Sequence, residues 1–444
     1  MDLEPIRIKD LVEKLYPLHR TLVSDGTDEA LEMVRDHMPT GAEFAIEVYA
    51  PQKRVWTWEV PERYVVHEAY LESEDGERVI DFSDNPLHLV SYSPPIDTVF
   101  SWEELQGHLH YSERRPSAIP WVYKYYDRDW GFCLSKNLFD QLSRDKKYRA
   151  VIRSEYVADP EQGLRVGVGL VAPDGGRVPQ SGEFLICTHI CHPGQANDDA
   201  AGVGVAVEVA RRLTERPLLA GSMGVRFLFC PETIGSICYL SHHEDMIASF
   251  KGGVFIEMPG NDNILAFQRT RQDNHLLDRI SSYVIEQQGI PYREDAYLNI
   301  ARNDDKVING PGVNIPCISL SRWPYDEYHT SDDNPDIVHE ELLREMADVV
   351  EEIVRIYASN YMPKRKFRGP IFLSRYGLWV DPAQDMKLGM AQDKIMVSLE
   401  GHHSVFEIAD EIGINYWSVR ELLEEYHDHQ LIDKLPIASC GEVL

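Results

Sequence analysis

Four short runs between about residues 165 and 362 are apolar almost without interruption: EFLICTH, MGVRFLFC, GGVFIEM and IPCISL. Helical stretches alternate with them, among them GVGVAVEVARRLTE, LLDRISSYVIEQQG and ELLREMADVVEEIVRIYASNY. A strand with no polar face has no side to give to water. Such runs demand a sheet covered on both faces, which points to a mostly parallel sheet flanked by helices, an α/β fold. With 444 residues, 43% of them hydrophobic, the chain is long enough to fill such a core.

The ends of these runs carry the chemistry. His189 closes EFLICTH, Glu232 follows VRFLFCP, Glu257 ends GGVFIE, and His329 follows IPCISL by the loop RWPYDEY. Asp198 stands just before the helix AAGVGVAVEVARRL. In an open α/β sheet, ligands bind at the carboxyl ends of the strands. Five groups of these types on one edge suffice for one or two divalent metals. Taken singly, each would be read as a loop residue or, for Asp198, a helix cap.

Two segments differ in character. Residues 56–155 are aromatic and turn-rich, which suggests short strands and an inserted β-rich domain. Trp56, Trp58, Tyr92, Trp121, Tyr125, Tyr126 and Trp130 either form its core or line a sugar or peptide groove. Residues 367–444 read as helices with helix-turn-helix spacing, the second element starting at Val405 and the third near Tyr416, then a wing. The α/β domain is then built from residues 1–55 and 156–362.

Charge decides what the tail does not do. The chain holds 73 acids against 44 Lys plus Arg, a net charge of -29. From 393 onward the cations are Lys394, Arg420 and Lys434, against eleven acids. Phosphate contacts need cations, so nucleic acid is not an expected partner, nor is an anionic membrane. Seven cysteines, an odd number without a CxxC pair, read as buried thiols in a reducing compartment. MDLEPIRIKD is too polar for a signal peptide, and no apolar run approaches a membrane span. A soluble, cytoplasmic protein is expected.

At this point the motifs resemble a known family. ANDDAAG (196–202), CPETIGS (230–236), GGVFIEMPG (252–260) and YHTSDD (328–333) look like the metal-bearing segments of co-catalytic zinc aminopeptidases. The set THICHPGQANDD, PETIGS and EYHTSDD is more similar still to one branch of that superfamily. That branch carries an inserted β-rich domain and a C-terminal winged helix, and is often tied to biosynthesis of polysaccharides or specialised metabolites. The resemblance covers nearly the whole chain.

The resemblance implies one or two Zn²⁺ per chain. His189, Asp198 and Glu257 would form one site, and Asp198, Glu232 and His329 a second, with Asp198 bridging. These ligand types suit zinc without excluding Mn²⁺ or Co²⁺. One departure stands out. The familiar enzymes have two consecutive glutamates, a base and a ligand, where this chain has Pro231-Glu232. Glu232 is therefore either a ligand, with the base supplied elsewhere, or itself the base beside a single metal. His192, Asp199, Asp326 and Glu327 are the local substitutes. His192 would act as a ligand, an oxyanion donor or a loop cap. In NIARNDDKV, Arg302 would take a substrate carboxylate and Asp304 or Asp305 an ammonium, unless the stretch is a solvated turn. Tyr328 would donate to an oxyanion.

The implied activity is metal-assisted hydrolysis of a small peptide or an aminoacylated small molecule. Two alternatives use the same scaffold: a catalytically retired metal-binding or regulatory protein, and a glutaminyl-cyclase-like acyl transferase. The tail or the insert would serve protein contacts, including assembly of a homo-oligomer.

Overall fold

A computed structural model describes residues 7–174, 182–219 and 222–437. The chain divides into two compact units, Met1–Glu351 and Glu352–Leu444.

The first unit is organised by an eight-stranded sheet. Its strands are β1 (Glu43–Tyr49), β2 (Leu164–Val171), β3 (Glu183–His189), β4 (Gly224–Cys230), β5 (Phe250–Ile256), β6 (Leu265–Gln268), β7 (Tyr292–Asp295) and β8 (Cys317–Ser321). Their order is β1-β2-β4-β3-β5-β8-β6-β7. The neighbours β4, β3, β5 and β8 are mutually parallel. They are the four apolar runs of the sequence, and every residue of β3 and β8 is buried. The sheet as a whole is mixed, which corrects the expectation of a mostly parallel one. β1 pairs antiparallel with β2, β2 with β4, and β6 with β8. None of these antiparallel pairs is a hairpin: the insert separates β1 from β2, β3 lies between β2 and β4 in the chain, and β7 between β6 and β8.

Helices α1 (Ile8–Leu15), α2 (Asp25–His37), α3 (Ala201–Glu215) and α4 (Ile234–His242) position the rest. α1 buries Ile8, Leu11, Val12 and Leu15, one stripe at helical spacing. It packs on α3, where Gly204 lets the Ile8 side chain approach. α2 starts at Ser24, whose hydroxyl accepts from Thr27 N.

Between β1 and β2 lies a smaller β-rich region. Its antiparallel sheet runs Arg78–Asp81, Arg63–Ser73, Tyr148–Val157 and Ile96–Phe100 in spatial order. This region shares one contiguous apolar cluster with the main sheet, from Tyr64, Leu71 and Trp102 through Leu185 and Leu228 to Phe255. Its aromatic residues split between the two roles considered for them. Tyr92, Trp121 and Trp130 are buried, while Trp58 and Tyr126 are exposed.

His19 joins the segment after α1 to this insert, edge-on to Phe82 with ring centroids 5.0 Å apart. Its Nε2 has no hydrogen-bond partner among the described residues, and burial pushes the imidazole down to about 4. The unfolded chain binds that proton near pH 6.5 and the folded chain only near 4. Stability is therefore lost as pH falls through that window. His19→Gln should flatten the decline of Tm between those pH values; an unchanged slope would assign the acid sensitivity to other groups.

The second unit holds helices Met386–Val397, Val405–Ile412 and Tyr416–Asp428, beginning at the Val405 and Tyr416 positions read from sequence. Ser404 and Glu407 form a capping box, and Gly413 closes that helix at φ 75°, a conformation open to glycine. Strand Met362–Arg365 pairs antiparallel with Ile432–Leu435. The six described cysteines, Cys133 to Cys317, are buried and free; Cys440 lies outside the described residues. Among the described residues no helix is long and apolar enough to cross a membrane.

Candidate metal centre

The carboxyl ends of the four parallel strands deliver His189 from β3, Glu232 after β4, Glu257 after β5 and the His329 loop after β8. A fifth group arrives differently. An irregular turn, Ala196–Ala200, precedes α3 and carries Asp198, with a cis peptide between Asp198 and Asp199.

Asp198 stands at the centre. Its Oδ1 lies 3.2 Å from His189 Nε2 and its Oδ2 lies 3.1 Å from His329 Nε2. One carboxylate thus addresses two imidazoles from opposite oxygens. Burial works against its charge, yet His192, His189 and His329 hold it well below the usual carboxylate range. His192 belongs to the same group: one donor atom each of His192, Asp198 and His329 falls within 4.8 Å of the others.

The turn is fixed by an acid that sequence reasoning missed. Asp333 is fully buried and accepts from the backbone N–H groups of Ala196 (3.2 Å), Asn197 (2.6 Å) and Asp198 (3.2 Å). Tyr325 donates to it as well, at 2.6 Å. Asp199 is bound elsewhere, its Oδ2 coming only to within 3.8 Å of His189 Nε2. It accepts from Thr188 Oγ1 (2.6 Å), Gly202 N (2.9 Å) and Met258 N (3.0 Å). A Cβ at Gly202 would fall 2.4 Å from that carboxylate, so only glycine fits there. Arg20, buried completely, donates to the carbonyls of Ile190 (2.7 Å) and Gln195 (2.8 Å) and so holds the loop that bears His192.

The remaining expected residues divide. Glu257 is buried and accepts from Asn303 Nδ2 at 2.6 Å; burial first, then Asp198, Asp305 and Asp199, push its carboxyl well up. Glu232 keeps 27% of its side chain exposed, and its Oε2 sits 3.4 Å from His192 Nε2. Burial opposes its charge, but the hydrogen bond and charge of His192 hold its carboxyl below the ordinary value. The Glu232 N–H donates to the sulfur of Cys191 at 3.1 Å, and Cys191 also lies 3.2 Å from His192 Nδ1. Tyr328 stacks on His329 with ring centroids 3.7 Å apart, and burial keeps its phenol protonated.

The stretch 302–305 turns its two acids inward rather than forming a solvated turn. Asp304 is fully buried and accepts from Thr233 N (3.0 Å) and Ser236 Oγ (2.5 Å), pinning the start of α4. Asp305, equally buried, accepts from Gln268 Nε2 (2.9 Å) and Asn303 N (2.8 Å). Their backbone amides begin a short helix and both carboxylates turn inward to satisfy neighbouring donors. Arg302 is exposed and donates to its own loop at Leu298 O, 2.8 Å.

The inserted region completes the wall. Trp121 N donates to His329 O (2.8 Å) and Ser331 N to Ile119 O (2.8 Å). The Trp121 ring lies 4.2 Å from that of His192 and 4.6 Å from that of His329. His329 has φ 55°, and this strap holds it there.

The donors fit a divalent cation. His189 Nε2 and Asp198 Oδ1 are buried and face each other at 3.2 Å, with no well-formed hydrogen bond to either among the described residues. A buried imidazole nitrogen and carboxylate oxygen that meet without good hydrogen-bond geometry are better satisfied by a cation that joins them. Imidazole and carboxylate donors match zinc.

Comparisons with known proteins agree. The model of a family described as "Domain of unknown function (DUF4910)" matches residues 9–360. A protein of Clostridium acetobutylicum described as "Putative polysaccharide biosynthesis protein with aminopeptidase-like domain" is 31% identical over 357 residues, 80% of this chain and 78% of that one. A crystal structure of a "putative peptidase" from the same species superposes with a TM-score of 0.83 at 27% identity, covering 96% of both chains. A zinc aminopeptidase from Bacillus subtilis shares the fold at 14% identity, with a TM-score of 0.56 over 79% of this chain and 95% of that one. The chain therefore belongs to the DUF4910 family, on the zinc-aminopeptidase-like scaffold.

Proposed function

We propose that the protein is a zinc-dependent, aminopeptidase-like amide hydrolase acting on a small peptide or an aminoacylated small molecule. The observation that carries this is Asp198, with one oxygen on His189 and the other on His329. His189, Asp198 and Glu257 would hold one ion, and Asp198, His329 and His192 or Glu232 a second. Bound there, zinc supplies a Lewis acid and a water of lowered pKa.

The chain's own residues supply the proton chemistry. Glu232 is the acid of the group that keeps access to solvent, and His192 holds it ionised. Its Oε accepts the proton of the attacking water and returns it to the nitrogen of the leaving amine. In this reading His192 sits among the donors and Glu232 is the base, which accounts for Pro231 where a second glutamate would stand. The Tyr328 phenol, kept protonated, donates to the oxygen of the carbonyl under attack.

The C-terminal helices and their strand pair support a winged-helix-like module, and the acidic charge of that segment supports protein contact as its role. The three-part division at residues 55, 155 and 362 and a cytoplasmic location belong to the same proposal.

The test is zinc per chain by elemental analysis, beside turnover of aminoacyl amides. Glu232→Gln should retain the wild-type zinc content while turnover falls by about 10²- to 10⁴-fold, the range of a lost general base. His329→Ala should lose zinc. Zinc lost in step with turnover in Glu232→Gln would make Glu232 a ligand. A wild-type protein that takes up no zinc from excess would overturn the proposal.

A further inference from the structure

Beside the metal centre, the inserted region presents an aromatic lip that the proposed chemistry leaves unused. Tyr123 is 45% exposed. One face of its ring is stacked on Tyr125, with centroids 4.7 Å apart and planes at 18°. It lies tilted at 42° to Trp121, with centroids 4.9 Å apart, and the same Trp121 packs on His192 and His329. The centroid of Tyr123 is 6.5 Å from that of His329. A group attached one or two bonds from the scissile carbonyl would meet the free face of Tyr123.

The charges around the lip decide what that group is. Arg114 is paired with Asp326, and Arg115 with Asp332 and Glu327. Lys124 is paired with Asp129, and Arg128 with Glu62. Every cation close to Tyr123 in the sequence is thus engaged by a carboxylate. A phosphate or carboxylate on the guest would find acids and aromatic faces there. A neutral, flat ring finds a stacking partner with one face already braced.

We infer that Trp121, Tyr123 and Tyr125 form the subsite for an aromatic side chain on the acyl side of the scissile amide, so that the protein selects aromatic aminoacyl amides. This rests on the hydrolase reading above. It assigns Tyr123 to specificity, with the rigid Tyr125 stack keeping its ring in place.

The experiment uses the full-length zinc-loaded protein and two substrates with the same leaving group, phenylalanine and alanine p-nitroanilide. The wild type should prefer the aromatic substrate in kcat/KM. Tyr123→Ala should reduce that preference by about five- to tenfold, mainly through KM, the size expected for a lost ring contact. Tyr123→Phe should keep it, and zinc content should be the same in all three. Retained preference in Tyr123→Ala, or no preference in the wild type, overturns the subsite. Calorimetric binding of phenylalaninamide and alaninamide separates this from the hydrolase reading. Aromatic preference in binding that Tyr123→Ala abolishes supports the subsite even if neither anilide is turned over, and such a failure of turnover counts against the hydrolase alone. Equal binding of the two amides overturns the subsite whatever the turnover.

Discussion

Asp198→Asn should lower kcat/KM by on the order of 10³-fold or more, about 4 kcal/mol of transition-state stabilisation, and should strip the protein of zinc. The reason is that both oxygens of this side chain are committed. Oδ1 faces His189 and Oδ2 faces His329. An asparagine offers a single acceptor and turns the other position into a donor, which meets either an imidazole or a cation with the wrong polarity. The neighbouring acid provides the control. Asp199 accepts from Gly202 N and Met258 N through Oδ1 and from Thr188 Oγ1 through Oδ2. An asparagine there keeps the first two bonds on its oxygen and donates to the threonine hydroxyl with its nitrogen. Asp199→Asn should therefore retain zinc. Elemental analysis and turnover on the two variants make the comparison. Equal zinc in both would remove Asp198 from the bridging position.

The difference between these adjacent acids shows how far the sequence can be read. His189, Glu257 and His329 are visible in it because each follows an apolar strand, and the carboxyl end of a parallel sheet is where binding groups collect. Asp198 and Asp199 look alike in the sequence; only the turn decides that Asp198 meets both imidazoles while Asp199 comes no nearer than 3.8 Å to His189. The mixed character of the sheet is hidden for a related reason. Strand direction at the edges depends on long connections through the insert and through other strands, which leave no mark in hydropathy. Asp304 and Asp305 show the reverse case. A polar run between ordered elements suggests an exposed clamp, but both carboxylates are buried by donors from Thr233, Ser236, Gln268 and Asn303. Two other segments of the chain supply Thr233, Ser236 and Gln268, and Asn303 belongs to the run itself. Arg20 was illegible as a site residue because its guanidinium reaches the loop through the carbonyls of Ile190 and Gln195, which carry no side-chain signature, and the aromatic run offered Trp121 as core or groove without placing its ring against His192 and His329. The Asp333 carboxylate was passed over in the same way, since YHTSDD draws the eye to His329.

Asp333 is where a single substitution should disturb the centre without touching a ligand. Its carboxylate gathers three consecutive backbone N–H groups and the Tyr325 hydroxyl in a site closed to water. Each buried donor left without an acceptor costs about 1–3 kcal/mol, and local relaxation recovers part of it. Asp333→Ala should thus destabilise the protein by about 3 kcal/mol or more and free the turn that presents Asp198. Asp333→Asn keeps an oxygen for Ala196 and Asn197 but loses the acceptor facing Asp198 N. It should cost less stability, while zinc affinity falls by about 10- to 100-fold, the usual effect of losing a group that orients a metal ligand. Thermal melts of the metal-free proteins read the first effect, and competition with a chelator reads the second. The two need not move together, and that separates an acid that orients the metal carboxylate from one that serves only the fold. If Asp333→Asn binds zinc as tightly as the wild type, the Asp198 turn holds itself and the three amide bonds matter to stability alone.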